Sequence, residues 1–323
     1  MKRYLLLLLF SVFCTLLFAQ EGYTLFFWNV ENFFDTRNDP DKEDDQFTPQ
    51  GTNRWTRKRF VKKRDGIAGT IIDVTNGELP AFIALAEIEN RYVLNQLIYE
   101  TPLTYGNYRI LHKDSPDRRG IDVALLYRKD HFYPLETKYL SVSHDSVQLR
   151  DILYTKGVLH RLDTLHLFIN HWPSKYGGEK ESAPKRGAAA DALLYVCDSI
   201  LLSNSRANVI IAGDFNDTPD SEIMKRFAMF INLSARIPKR EGTIKYRGVW
   251  ELIDQILVSP NMLNADEPVS VDIWSFKIIS HSALLERDRN FTGYRPKRTY
   301  IGPRYHGGLS DHLPVIVKIY RNW

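Results

Sequence analysis

Polar side chains close six apolar runs of this chain: Asn29, Glu31 and Asn32 after Trp28; Glu87, Glu89 and Asn90 after Leu85; Asn170 and His171 ahead of Trp172; Asp214, Asn216 and Asp217 after Gly213; Asp254 and Gln255 after Ile253; and Asp311 and His312 after Ser310. One such fragment means little, because a carboxylate after a strand is commonly a turn former or a helix cap. Six of them, each holding an acid, an amide or an imidazole, are harder to read as turns. The chemistry that suits this inventory is phosphoryl chemistry with a hard divalent ion, Mg²⁺ or Mn²⁺. Such an ion prefers carboxylate oxygens, keeps water and takes a substrate phosphate as a ligand.

Other chemistries lack their residues. The chain has no His-Glu-x-x-His run and no cysteine pair, which removes zincin and thiolate sites. It has neither a Gly-rich Lys-Ser/Thr phosphate loop nor a Gly-x-Ser-x-Gly elbow, which argues against P-loop hydrolysis and serine esterase chemistry.

The elements that must position these residues are short. Apolar runs rich in β-branched and aromatic residues over 23–30, 81–88, 121–127, 165–171, 207–213, 253–259 and 314–320 read as buried strands. Phe60, Ile67, Ile71 and Val74 keep near-helical spacing on one face, as do Ala189, Leu193, Val196 and Ile200, and these predict outer helices. Many strands and few helices imply two packed sheets with helices outside. Residues 261–308 are aromatic and basic and fit no simple element; a substrate-facing excursion is expected there.

At the N-terminus, Lys2 and Arg3 precede an apolar run over residues 4–18, and Ala19-Gln20-Glu21 follows at once. This is the layout of a signal peptide over residues 1–19, with export to the periplasm or beyond, and the run is too short to span a bilayer. Roughly 300 residues remain, with no repeat or Gly/Ser linker, so residues 21–323 are expected to form a single domain, acting as a monomer. The formal charge of +4 includes Lys2 and Arg3, so the balance left says little about the partner. Cys197 would be the one cysteine beyond the leader, and a buried inert thiol is its simplest reading. Arg54, Arg57, Lys58, Arg59, Lys62, Lys63 and Arg64 form a basic run free of acids, either a solvated helix face or a phosphate-attracting patch.

Taken together, the order of these motifs from Leu25 to Val317, above all Gly213-Asp214-Phe215-Asn216 with Ser310-Asp311-His312, resembles the endonuclease/exonuclease/phosphatase superfamily. Trp250 ahead of Asp254, and Arg298-Thr299-Tyr300 ahead of the Ser-Asp-His, resemble its secreted bacterial members. The resemblance implies an α/β fold: a four-layer α/β sandwich, two mixed β-sheets packed face to face with helices outside. It also implies roles. Glu87 would be the principal metal ligand, with Glu31, Asp311 and Asn29 completing the metal site for Mg²⁺ or Mn²⁺. Asp214 and Asn216 would contact the attacking water and the scissile phosphate. His312 would be the catalytic histidine, oriented by Asp254, and either His312 or Asp214 would be the base. His171 would donate to the phosphate or the leaving group, or simply hold a structural hydrogen bond beside Trp172. Arg119 and Asp122 would position substrate, though a plain turn before a strand explains them equally well.

Nucleic acid, DNA or RNA, is the expected substrate, since cations gather at both ends of the chain's motifs, Arg54 to Arg64 and Arg287, Arg289, Arg295, Lys297, Arg298 and Arg304. The alternative is a lipid or small-molecule phosphoesterase of the same superfamily. No exposed amphipathic membrane helix is evident, so no stable membrane association is expected. A binding protein whose inherited site no longer turns over is the least favoured reading, because every expected position holds a competent residue.

Overall fold

The computed structural model describes residues 22–161, 163–175 and 177–322, so the leader expected over residues 1–19 lies outside the described residues. In chain order the strands of the two large sheets are β1 (Gly22–Phe33), β2 (Phe82–Ile88), β3 (Tyr108–His112), β4 (Asp122–Arg128), β5 (Phe132–Leu140), β6 (Ile152–Leu159), β7 (Asp163–His171), β8 (Asn208–Asp214), β9 (Ile231–Asn232), β10 (Asp254–Val258), β11 (Val269–Val271), β12 (Lys277–Ile278) and β13 (Val315–Arg321). One sheet runs β11-β13-β1-β2-β4-β3, with β12 also on β13, and the other runs β9-β10-β8-β7-β6-β5. Within each sheet one pair is parallel, β1 with β2 and β7 with β8, and the other pairings are antiparallel.

Side-chain alternation explains why the strands read as unbroken apolar runs. Leu25 and Phe27 of β1 point to the interface between sheets, where they meet Leu167 and Ile169 of β7 and Ile210 and Ala212 of β8. Phe26 and Trp28 point the other way, onto α1 (Arg57–Val74) and α2 (Arg91–Tyr99), through Phe60, Ile67, Ile71, Val93, Leu94 and Leu97. The second sheet turns Phe168, Val209 and Ile211 to α3 (Glu179–Ser203), against Ala189, Leu193 and Cys197. Both faces of both sheets are covered, which gives four layers. A side chain such as Phe27, fully enclosed in the middle, would cost ~3–5 kcal/mol on truncation to Ala.

This layering brings the polar fragments to one edge. The carboxyl ends of β1, β2, β7 and β8 lie together there, with the start of β10 beside Asp214 and the turn before β13 next to them. Clefts form naturally outside the carboxyl ends of parallel strands. Residues 261–308 supply β11, β12 and two small hairpins, Leu285–Arg287 with Tyr294–Pro296 and Tyr300–Ile301 with Arg304–Tyr305. Among the described residues no helix is long and apolar enough to cross a membrane.

Candidate active site

Two irregularities aim the first acids into the cleft. The pairing of β1 with β2 slips between Asn29 and Phe33, and that of β2 with β4 slips between Ala86 and Ile88. At these slips Glu31, Asn32 and Glu87 adopt φ of +48°, +53° and +63°, a left-handed backbone that non-glycine residues rarely hold. A bulge of this kind re-aims a side chain that regular pleating would have buried. Glu87 Oε2 accepts from Asn32 N at 2.7 Å, while Oε1 looks into the cleft, 3.9 Å from both His171 Nε2 and Arg119.

Asp214, at the end of β8, is the pivot of the opposite wall. Its Oδ2 accepts from Asn29 Nδ2 at 2.9 Å and lies 3.6 Å from His171 Nε2 and 3.8 Å from His312 Nε2; its Oδ1 accepts from Asn216 N at 2.9 Å. Gly213 is required just before it, since a Cβ there would stand 2.5 Å from the carbonyl oxygen of Asn170 on β7. His312 Nδ1 pairs with Asp254 Oδ2 at 2.7 Å, leaving Nε2 facing the cleft. The turn carrying His312 is itself pinned, by Ser310 Oγ donating to Asn29 O at 2.6 Å and Trp28 Nε1 donating to His312 O at 2.9 Å.

Glu31 is used differently from the other acids. Its two carboxylate oxygens accept from Arg298 Nε at 3.0 Å and Thr299 N at 2.7 Å, and Arg298 reaches Asp311 Oδ2 at 2.9 Å with its other arm. Gly308 lets this segment press close, because a Cβ there would lie 1.8 Å from the carbonyl oxygen of Lys297. Beneath it Lys63, buried, donates to the Glu31 carbonyl and to Thr299 Oγ1. Glu31 therefore fixes Arg298 and the 297–299 segment, and the oxygens left facing the cleft belong to Glu87 and Asp311.

Burial and crowding set the charges. Glu31 is pushed up to about 7, by burial first and then by Asp311. Asp214 also rises to about 7, through burial and the nearby Asp254, against the pull of His312. His312 is opposed by its own burial, yet Asp254 and Asp214 outweigh this and raise it well above the usual imidazole range. His171 goes the other way: burial, with Arg150 and Arg119 nearby, holds it well below that range and neutral. Burial draws Lys63 down to about 8, while Glu31, Glu87 and Asp311 resist. Acids crowded and buried until Glu31 and Asp214 both hold protons near neutrality are a fit for a hard cation, and hard oxygens on Glu87 and Asp311 suit Mg²⁺ or Mn²⁺. The tighter group of Asp214, Asp254 and His312 is held together by its own hydrogen bond.

The structure thus brings Asn29, Glu31, Glu87, His171, Asp214, Asn216, Asp311, His312 and Arg119 to the lining of one cleft of about 680 Å³, with Asp254 directly behind His312. Asp122 does not line it. Sitting at the start of β4, it is buried and turns back to accept from Ser115 N at 3.0 Å, so it shapes the loop that carries Arg119. The basic run is not one surface either: Lys63 and Arg64 are buried, and Arg59 lies over the Tyr305 ring at 4.3 Å. Sequence reasoning missed Arg150, which donates to His171 O at 3.0 Å, Trp172 O at 2.9 Å and Asp117 Oδ2 at 2.8 Å, and Lys185 of α3, which enters the cleft lining. Nothing about a lone arginine between strands signals it; Lys185 could have been suspected from its place on the helix after the His171 fragment.

The sequence matches the model of the Endonuclease/Exonuclease/phosphatase family over residues 24–321. No curated protein sequence gives a significant match. Among solved structures, truncated TDP2 of Caenorhabditis elegans is similar at 16% identity, covering 93% of this chain and 98% of that one with a TM-score of 0.58. A mannosyl-6-phosphatase of Bacteroides thetaiotaomicron is similar at 16% identity, covering 92% and 99% with a TM-score of 0.59. The human Nocturnin catalytic domain with bound sulfate is similar at 14% identity, covering 94% and 98% with a TM-score of 0.57. Likeness at such identities establishes a shared fold.

Proposed function

Because the chain belongs to the endonuclease/exonuclease/phosphatase family, we propose that it is an exported phosphodiesterase that hydrolyses nucleic acid with Mg²⁺ or Mn²⁺, acting as a monomer. The observation that carries the chemistry is the His312–Asp254 pair at 2.7 Å facing Asp214, in a cleft where Glu87 and Asp311 present free oxygens and Arg119, Lys185 and Arg298 supply positive charge. Export is supported by Lys2, Arg3 and the apolar run that follows them.

A divalent cation held by Glu87 and Asp311 would supply Lewis-acid neutralisation of the phosphate oxygens. The residues themselves divide the remaining work. Asp214, drawn to about 7 and fixed by Asn29 and Asn216, is matched to taking a proton from water at neutral pH. His312, held charged by Asp254, is the poorer base and the better donor, aimed by Nε2 at a phosphate oxygen. Neutral His171 can donate a second hydrogen bond without adding charge, and Asn29, which donates to Asp214 and accepts from Glu31 N, is a positioning residue.

The purified protein, offered plasmid DNA, single-stranded DNA, RNA, sphingomyelin, a sugar phosphomonoester and a small chromogenic diester with Mg²⁺, Mn²⁺ or chelator, should cleave the nucleic acids and the diester with metal only. Full activity in excess chelator overturns the metal site. Hydrolysis confined to the monoester replaces the nuclease reading with a phosphatase.

A further inference from the structure

Two hairpins at the rim of the cleft carry a surface that the chemistry above does not use. One pairs Ile244–Tyr246 with Val249–Glu251; the other pairs Leu285–Arg287 with Tyr294–Pro296. Strand Ile244–Tyr246 lies against strand Tyr294–Pro296, and the two are locked together by Lys245, whose Nζ donates to Thr292 O at 2.7 Å and pairs with buried Asp288 at 3.1 Å. Phe291 seats on Gly248, where a Cβ would come within 2.7 Å of its ring. Asp288 and Glu286 are thereby spent inside the hairpins, the latter on Arg295 and His306.

What remains outside is basic and aromatic. Arg287 and Arg289 are exposed and have no carboxylate partner among the described residues, and Arg247 lies over the Tyr246 ring at 5.2 Å. Beside them Tyr246, Phe291 and Tyr294 are 58%, 47% and 61% exposed, and it is their grouping on two adjoining hairpins, more than their exposure, that marks an interaction surface. Tyr294 stands directly opposite Arg287 in the hairpin register. Rings interleaved with unpaired guanidinium groups are the means by which proteins hold a flexible nucleic-acid strand: bases stack and phosphates pair, with little dependence on sequence. Each hairpin is also rooted in the active site. Ile244 bridges to His312 and lines the cleft, while the other hairpin runs on from Pro296 through Lys297 to Arg298, which holds Glu31 and Asp311. Three residues of strand span ~10 Å, so the tips stand about one or two nucleotides beyond the cleft lip.

We propose that these hairpins form a platform for a single-stranded polynucleotide, which feeds the strand into the cleft. The platform rests on the nuclease reading and adds to it the form of the substrate. It gives a use to the exposed aromatic and basic residues of the 285–296 hairpin, while other parts of residues 261–308 supply β11 and β12 to the first sheet.

The test measures binding of a fluorescent single-stranded oligonucleotide by anisotropy in chelator, and its cleavage in Mg²⁺. Replacing Arg247, Arg287 and Arg289 together by Gln should weaken binding and flatten the slope of log affinity against log salt by roughly 2, at about 0.7 for each phosphate that is no longer neutralised. Replacing Tyr246 and Tyr294 by Ala should weaken binding roughly tenfold or more while leaving that slope unchanged. Both variants should keep the parent melting temperature and the parent rate on the small chromogenic diester, which cannot reach the tips. Parent affinity, salt slope and cleavage of the oligonucleotide in both variants overturn the platform and leave the nuclease reading standing. Hydrolysis of small phosphate esters with none of any nucleic acid overturns the nuclease reading, and the platform with it. Binding of anionic lipid vesicles in preference to the oligonucleotide, abolished by the arginine replacements, assigns the surface to a membrane instead.

Discussion

His312 carries its charge because Asp254, Asp214 and Asp311 outweigh its burial, and only one of them, Asp254, is hydrogen-bonded to it. Asp254 faces away from the cleft lining, so its influence on turnover should pass through the imidazole. Replacing His312 by Ala should lower turnover by roughly 10²–10⁴-fold, and replacing Asp254 as well should lower it little further. The two singles and the double, compared at saturating metal and with folding verified by circular dichroism, give the coupling; strictly multiplicative losses would separate the residues. Glu87→Gln tests the opposite wall. The amide's single oxygen can keep the bond from Asn32 N, which turns its NH2 to the cation in place of Oε1, so metal titrations should show a large loss of apparent affinity in a protein that melts as the parent does.

At the scale of elements, the cleft is held open by connections between loops. Arg150 stands in the turn before β6 and ties the end of β7 to the 115–120 loop through three hydrogen bonds, one of them to Asp117. Both side chains of that ion pair are largely buried, so Arg150→Ala strands a carboxylate and should destabilise the fold by about 3–5 kcal/mol in denaturant titration. Arg150→Lys should recover part of this, and a loss below ~1 kcal/mol would show that the loop is held by something else. Sequence reading could not see this arginine, and the reason generalises. The long buried strands β1, β2, β4, β7, β8, β10 and β13 are legible as apolar runs, whereas β5, with Pro134, Glu136 and Lys138 on a half-exposed edge, the mixed run of β6, the short edge strand β3 and the three-residue β11 are not. Helix α2 was also passed over, although Asn90 caps it by accepting from Val93 N; that asparagine had looked like part of a site fragment. The motif residues were legible because they follow buried strands. Glu31's attachment to Arg298, and the burial of Lys63, depend on contacts across more than 230 positions of chain.

For the whole molecule, the site's protons become a stability profile. Glu31 and Asp214, both lifted to about 7, bind protons in the folded state that they release when unfolded, between their ordinary pKa values and 7. Stability without metal should therefore fall as pH rises through that interval. His312 acts in the same direction: its contribution is full below its ordinary pKa and is lost as pH climbs through its raised one. Lys63, lowered to about 8, works against this slope above that pH, because there its unfolded form binds the extra proton. Mg²⁺ or Mn²⁺ held by Glu87 and Asp311 would sit beside Glu31 and Asp214 and expel their protons, so its stabilising effect should be smaller near pH ~5 than near pH ~8. Melting temperatures with and without metal across this range check it; a pH-independent increment would place the ion away from these acids.

The left-handed backbone at Glu31, Asn32 and Glu87 has a consequence for any campaign to make this protein hardier. Each L-residue in that conformation gives up ~1–2 kcal/mol relative to glycine's freedom there, and asparagine tolerates it better than glutamate. Glu87→Asn or Glu87→Gly should therefore melt above the parent while hydrolysing nothing. Selection for thermal endurance alone would drift toward such changes, and a library sorted on survival after heating would enrich well-folded, inert descendants.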